Sequence, residues 1–156
     1  MIREMEQQFS LVYNEFCELL GQRLDLDSLM LRTSQLLKSE IPHYDWVGFY
    51  LLDSQNNQLV LGPYTGAATD HTHIPVGKGI CGQVAASKQT MVVQDVSGQD
   101  NYLACSMDVQ SEIVVPILKN GRFVAEIDID SHAYAPFTMD DEQFLSAISE
   151  KFSELF

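Results

Sequence analysis

The sequence predicts an α+β domain, a mainly antiparallel sheet with helices at both ends of the chain. Three observations carry that prediction. Phe9, Val12, Tyr13, Phe16, Leu19 and Leu20 recur at helical spacing near the start. Thr138 opens a second long helical stretch at the end, with acids in its first turn. Between them lie short β-branched and aromatic runs parted by turn residues. The chain has 156 residues, enough for one domain with its own core, and no repeat or linker divides it. Helices fill 1–40; the sheet, its loops and the last helix fill 44–156.

Taken in order, the first helix covers about residues 3–21. Asp27 or Ser28 caps a second, carrying Leu29, Met30, Thr33, Leu36 and Leu37, and Pro42 ends it. A strand at 45–52 holds Trp46, Val47, Phe49 and Tyr50. Residues 53–57 turn, and 58–62 return as a second strand. Residues 63–70 are irregular, 72–76 form a short strand, 79–87 a short helix, and 90–95 another short strand. The stretch 96–104 reads as a polar loop. Two strong strands follow at 112–118 and 122–130, before the helix at 138–155.

Lys119-Asn120-Gly121 joins those two strands, and two loop readings compete. A two-residue Asn-Gly turn pairs Lys119 with Arg122 and puts Glu112 opposite Ile129. A three-residue loop with Gly121 left-handed pairs Leu118 with Arg122 and puts Glu112 opposite Asp128. The second gives one apolar face, with Ile113, Val115, Ile117, Phe123, Ala125, Ile127 and Ile129. The other face then carries Glu112, Val114, Pro116, Val124, Glu126, Asp128 and Asp130. The bulged loop is therefore expected, with Glu112, Asp128 and Asp130 on one face. Solvation on an exposed sheet face would explain such acids. So would a site for an ammonium group, a metal site, or a proton donor held neutral.

The chain carries 22 acidic and 9 basic residues, a formal net charge of -13. That balance argues against nucleic acid and against anionic membrane surfaces as partners. No apolar run is long enough to span a membrane, and residues 1–8 carry no signal-peptide core, so a cytoplasmic location is expected. Three cysteines do not make a disulfide framework in such a compartment. Cys17 reads as a packed small residue of the first helix. Cys81 follows a glycine-rich turn near a helix start, a place that favours the thiolate. Cys105 follows the polar loop. Spacing alone does not join Cys81 and Cys105. With His71 and His73 they match no common zinc spacing, and no metal site is expected.

Several stretches together resemble the free methionine-(R)-sulfoxide reductases, a GAF-domain enzyme family. They are Trp46-Val47-Gly48-Phe49-Tyr50, Leu61-Gly62-Pro63-Tyr64, Ile74-Pro75-Val76-Gly77-Lys78-Gly79-Ile80-Cys81-Gly82, Ala104-Cys105, Ser111-Glu112-Ile113-Val114-Val115-Pro116 and Ile127-Asp128-Ile129-Asp130-Ser131. The likeness runs from about Tyr44 to the C-terminus, and the order and spacing are what make it specific. The resemblance implies a single GAF domain, with the terminal helices packed on one face of the sheet. It implies reduction of the R-sulfoxide of free methionine, leaving a cysteine sulfenic acid that a second cysteine converts to a disulfide. Thioredoxin, recharged from NADPH, would reduce that bond, and no bound cofactor is implied. Glu112, Asp128 and Asp130 would line the substrate pocket, Glu112 also serving catalysis, and Trp46 and Tyr50 would wall it. Cys105 would attack and Cys81 resolve, the reverse being also reasonable. Related GAF proteins often form dimers through terminal helices, so a homodimer is within what the resemblance implies.

Two departures stand out. The family usually carries a third cysteine where this chain has His71, and often an acid where it has Ser106. The loss at position 71 supports a second expectation, a GAF sensor or small-ligand binding module without catalysis. A third is a metal-binding protein that uses the acids or the histidines.

Overall fold

Among the described residues, three helices share one face of a single sheet and a fourth covers the other. The computed structural model describes residues 2–99 and 108–156, with side chains from residue 6 onward. Cys105, and much of the expected 96–104 loop, lie outside the described residues. The elements are α1 (Ile2–Gly21), α2 (Leu26–Glu40), β1 (Trp46–Asp53), β2 (Gln58–Thr65), β3 (His73–Pro75), α3 (Gly79–Ser87), β4 (Met91–Val93), β5 (Ser111–Lys119), β6 (Arg122–Ser131) and α4 (Met139–Ser153). A short 3-10 turn, Val96–Gly98, follows β4. The strands form one antiparallel sheet in the order β3-β2-β1-β6-β5-β4.

Side chains alternate across the pleat, so each central strand feeds two cores. On one side Val47, Phe49, Ile113, Val115, Ile117, Ala125, Ile127 and Ile129 meet the apolar faces of α1, α2 and α4. On the other, Trp46, Tyr50, Val114 and Phe123 meet Ile80, Cys81, Val84 and Ala85 of α3. The acids lie on this second side. It is not the exposed sheet face that solvation would have required.

The structure corrects the expected hairpin. Lys119 pairs with Arg122, and Asn120 and Gly121 both have positive φ (52° and 76°), which makes a two-residue turn. The ladder then shifts between Ile117 and Leu118, because Ile117 pairs with Ala125 but Leu118 with Phe123. Val124 is the extra residue of a β-bulge. Strand pairing thus absorbs the odd residue, instead of the loop. The parity of the acids survives, but Glu112 faces Asp130, and Asp128 faces Val114. Phe123 and Val124 exchange the expected sides: Phe123 joins the α3 core and Val124 packs toward the helices.

Other differences are local. The cap of α2 is Asp25, whose carboxylate accepts from the Ser28 amide at 2.8 Å. Cys17 is exposed on α1 and is not the packed residue expected. β2 continues to Thr65. Among the described residues no helix is long and apolar enough to cross a membrane.

Asp141 ties α4 to the sheet. Thr138 and Asp141 form a reciprocal capping box, with the Thr138 amide donating to Asp141 Oδ2 at 2.8 Å. Tyr44 Oη donates to Asp141 Oδ1 at 2.8 Å, and His43 Nε2 lies 2.7 Å from the same oxygen. Burial works against the Asp141 charge, but the contacts to His43, the Thr138 amide and Tyr44 outweigh it and hold the carboxyl below its usual range. Its contribution to stability is present above the unfolded carboxylate pKa, about 3.9. It is lost as pH falls through the lower folded value. Asp141→Ala leaves these donors unpaired and is expected to destabilise the fold by about 2–4 kcal/mol, read by urea unfolding at pH 7.

Candidate active site

The glycine-rich turn fixes where Cys81 sits. Gly77 and Gly79 take positive φ (94° and 63°), which an L side chain resists. The chain folds back on itself there: Gly77 N donates to Gly82 O at 2.7 Å, and Gly82 N to Lys78 O at 2.8 Å. A Cβ at Gly82 would lie 2.6 Å from the Pro75 carbonyl. This close approach seats the first turn of α3 on the sheet, with the Cys81 side chain facing β5 and β6.

Register supplies the acids. Glu112 on β5 lies opposite Asp130 on β6, and Asp128 and Glu126 follow at alternate positions toward the hairpin. All four are buried: Glu112 is 4% exposed, Asp128 and Asp130 1%, Glu126 0%. Cys81 Sγ donates a long hydrogen bond to Glu112 Oε1 at 3.8 Å. Among the described residues, neither oxygen of Glu126 nor the Oδ1 of Asp128 has a partner at hydrogen-bond geometry.

That environment sets the protonation states. Burial first, then the charges of Asp128 and Asp130, pushes Glu112 well above the usual carboxylate range. Burial likewise raises Glu126 far up, with the charge of Asp128 adding to it and contact with the Cys81 thiol opposing it. Burial raises Asp128 too, against the pull of Glu112 and Cys81. Cys81 itself is pushed well up by burial and by Asp128, Glu126 and Glu112. The expected helix-terminus thiolate is therefore not what forms. Desolvation and three acids outweigh the dipole of a short helix, so Cys81 rests as a neutral thiol.

Trp46 and Tyr50 lie on the same face. The Trp46 ring stacks on Tyr64 (centroids 5.3 Å apart, planes at 18°), and its Nε1 donates to the Ala67 carbonyl at 2.9 Å. Gly48 leaves room for this ring, since a Cβ there would lie 2.5 Å from it. Tyr50 Oη donates to the His71 carbonyl at 2.9 Å. Two cavities divide the expected site residues. A small one, about 10 Å³, is lined by Tyr50, His71, Cys81, Glu112 and Asp128. A larger one, about 290 Å³, is lined by Trp46, Asp130, Lys38, Asp45 and His132. Their walls adjoin, because Glu112 and Asp130 are cross-strand partners.

Sequence reasoning passed over one residue as a site member. Glu126 stands on the acid face by simple alternation, and that signal was available. Its burial and its contact with the Cys81 thiol needed the tertiary packing. Glu126→Gln removes a carboxyl whose folded pKa is raised, so the native state holds a proton that the unfolded chain loses above about pH 4.3. The native protein therefore loses stability as pH rises from there toward the folded pKa. The variant is expected to be more stable by at least ~1 kcal/mol at pH 8, with the gain shrinking toward pH 5 in parallel urea titrations.

A covered antiparallel sheet with a buried thiol set among acids defines a small-ligand domain equipped for thiol chemistry. The GAF domain family model matches residues 13–154. The chain belongs to that family, and within it to the group of free methionine-R-sulfoxide reductases. It is 36% identical over 131 residues to the free methionine-R-sulfoxide reductase of Escherichia coli (strain K12), covering 84% of this chain and 78% of that protein. It matches the X-ray structure of the free methionine-R-sulfoxide reductase from Neisseria meningitidis in complex with its substrate. That match has 35% identity and a TM-score of 0.79, over 96% of this chain and 84% of that one. A putative GAF sensor protein from Burkholderia vietnamiensis matches at 30% identity and a TM-score of 0.88, over 96% and 94% of the two chains.

Proposed function

We infer that the chain is an oxidoreductase that reduces free methionine (R)-sulfoxide to methionine. The observation that carries this reading is the buried cluster of Cys81, Glu112 and Asp128 beside Asp130, in a chain whose relatives carry that activity by name. The acids suit the substrate twice. The Asp130 carboxyl lines the larger cavity and is a partner for the ammonium group, and neutral Glu112 holds a proton for the sulfoxide oxygen. Trp46, also lining the larger cavity, offers an apolar wall for the methyl end.

The chemistry balances with two thiols. The Cys105 sulfur attacks the sulfoxide sulfur as Glu112 protonates the oxygen. The oxygen passes to Cys105 as a sulfenic acid, and methionine leaves. The Cys81 thiol then displaces hydroxide from that sulfur, forming the Cys81–Cys105 disulfide; its own proton leaves with the hydroxide as water. Thioredoxin, recharged from NADPH, returns both thiols. His71 takes no part in this cycle, so the missing third cysteine does not prevent it.

The test is NADPH consumption in the presence of thioredoxin and thioredoxin reductase, with each epimer of free methionine sulfoxide and with a peptide-bound sulfoxide. Turnover of the free R epimer alone is expected. The likeness to a GAF sensor keeps a binding module as the second reading. Saturable binding of the R epimer without NADPH consumption would select that one.

A further inference from the structure

A thiol and three carboxyls are buried together here, and no lysine or arginine is among the described residues that line the cavity beside them. The Cys81 Sγ, one Glu112 oxygen and one Asp128 oxygen lie within 4.8 Å of one another. Glu126 stands two residues from Asp128 on the same face of β6, wholly buried, and its charge acts on the Cys81 thiol. Among the described residues, neither of its oxygens has a partner at hydrogen-bond geometry, and Asp128 Oδ1 has none. Among the described residues, the ion pairs are His43 with Asp141 and His132 with Asp45; none reaches Glu112, Glu126 or Asp128. The cavity at this point, about 10 Å³, has the room of one water or one ion.

We propose that the reduced chain captures a soft divalent cation of the Zn2+ class at this point, held by Cys81, Glu112 and Asp128, with the Glu126 carboxyl beside the thiol as an outer partner. The donor set selects the ion. Thiolate favours zinc or cadmium, whereas calcium and magnesium demand six or more oxygens. The spacing fits as well. Zinc bonds of about 2.3 Å to sulfur and about 2.1 Å to oxygen place neighbouring tetrahedral donors about 3.6 Å apart. Cys81 Sγ and Glu112 Oε1 are already 3.8 Å apart. Binding displaces the Cys81 thiol proton and any proton held by the ligating carboxyls into solvent, with no change of oxidation state. This donor set differs from the histidine pattern that sequence spacing had set aside. It also fixes the consequence, which rests on the reductase reading: the cation occupies the acids and the thiol that the substrate and the disulfide need, so it inhibits.

The probe is Cd2+, titrated under anaerobic conditions into the metal-free, reduced full chain carrying Cys17→Ser, which removes the exposed thiol. Thiolate-to-cadmium absorption in the near ultraviolet is expected to saturate at one ion per chain and to be suppressed by Zn2+. Adding Cys81→Ser abolishes the band, adding Cys105→Ser preserves it, and Glu126→Gln weakens binding about tenfold. A band that survives Cys81→Ser overturns the proposal. So does one that vanishes with Cys105→Ser, or unchanged affinity in Glu126→Gln. Zn2+ should also suppress methionine release in a single turnover, reversibly with chelator. A metal-free chain that releases no methionine, yet shows the Cys81-dependent band, defeats the reductase reading alone.

Discussion

Cys105→Ser is expected to abolish turnover of free methionine (R)-sulfoxide, by at least ~10³-fold, because the proposed cycle makes Cys105 the attacking sulfur. Cys81→Ser should behave differently. It keeps the attacking thiol and loses the resolving one, so one methionine per chain is released and turnover with thioredoxin stops at the sulfenic acid. The pair of variants separates the two assignments. A single methionine from Cys105→Ser, with none from Cys81→Ser, would invert the roles. The resting state of Cys81 agrees with the resolving role. Its thiol is neutral, because burial and its three acidic neighbours oppose the thiolate. A first nucleophile gains from being a thiolate before substrate arrives. A resolving thiol need only be in place once the sulfenic acid has formed. Quantifying methionine by mass spectrometry after mixing chain and substrate in equal amounts gives the answer.

Glu112→Gln is expected to lower kcat by about 10²–10⁴-fold, the range of a lost general acid. The amide keeps the volume and one acceptor but cannot supply the proton. The sign of the pH effect follows from the raised pKa. Wild-type activity that depends on protonated Glu112 falls as pH rises through the folded value, which lies well above the usual carboxylate range. In the variant that alkaline fall should vanish at the lower overall rate. A purely structural role would shift the whole profile down without changing its shape. The stability of Glu112→Gln should meanwhile improve on the alkaline side, since a strained carboxyl has been removed.

Much of this was legible in the sequence, for reasons that differ by element. The α3 helix lies at 79–87 as expected, because the glycine turn before it has a distinctive composition. Thr138 caps α4 as expected, because capping is local chemistry. The shared face of Glu112, Asp128 and Asp130 was readable because alternation of apolar residues fixes parity. The partner of Glu112 was not readable. An internal bulge and a bulged loop leave the same parity, and only the ladder tells them apart. The protonation of Cys81 is not legible in the sequence for a related reason. Its place near a helix start is local, whereas burial against Glu112, Glu126 and Asp128 comes from β5 and β6. Glu126 and His71 belong to the same lesson. Their positions were visible, but their approach to the thiol is a product of α3 and the β2–β3 connection closing over the sheet.

In the proposed cycle, Cys81 and Cys105 form the whole redox apparatus. Mixing fully reduced chain with one equivalent of free methionine (R)-sulfoxide, then trapping thiols and mapping peptides, tests it most directly. The expected result is one methionine per chain, a Cys81–Cys105 disulfide, and Cys17 still reduced. Methionine released with Cys81 still free after completion, or no methionine at all, would contradict it.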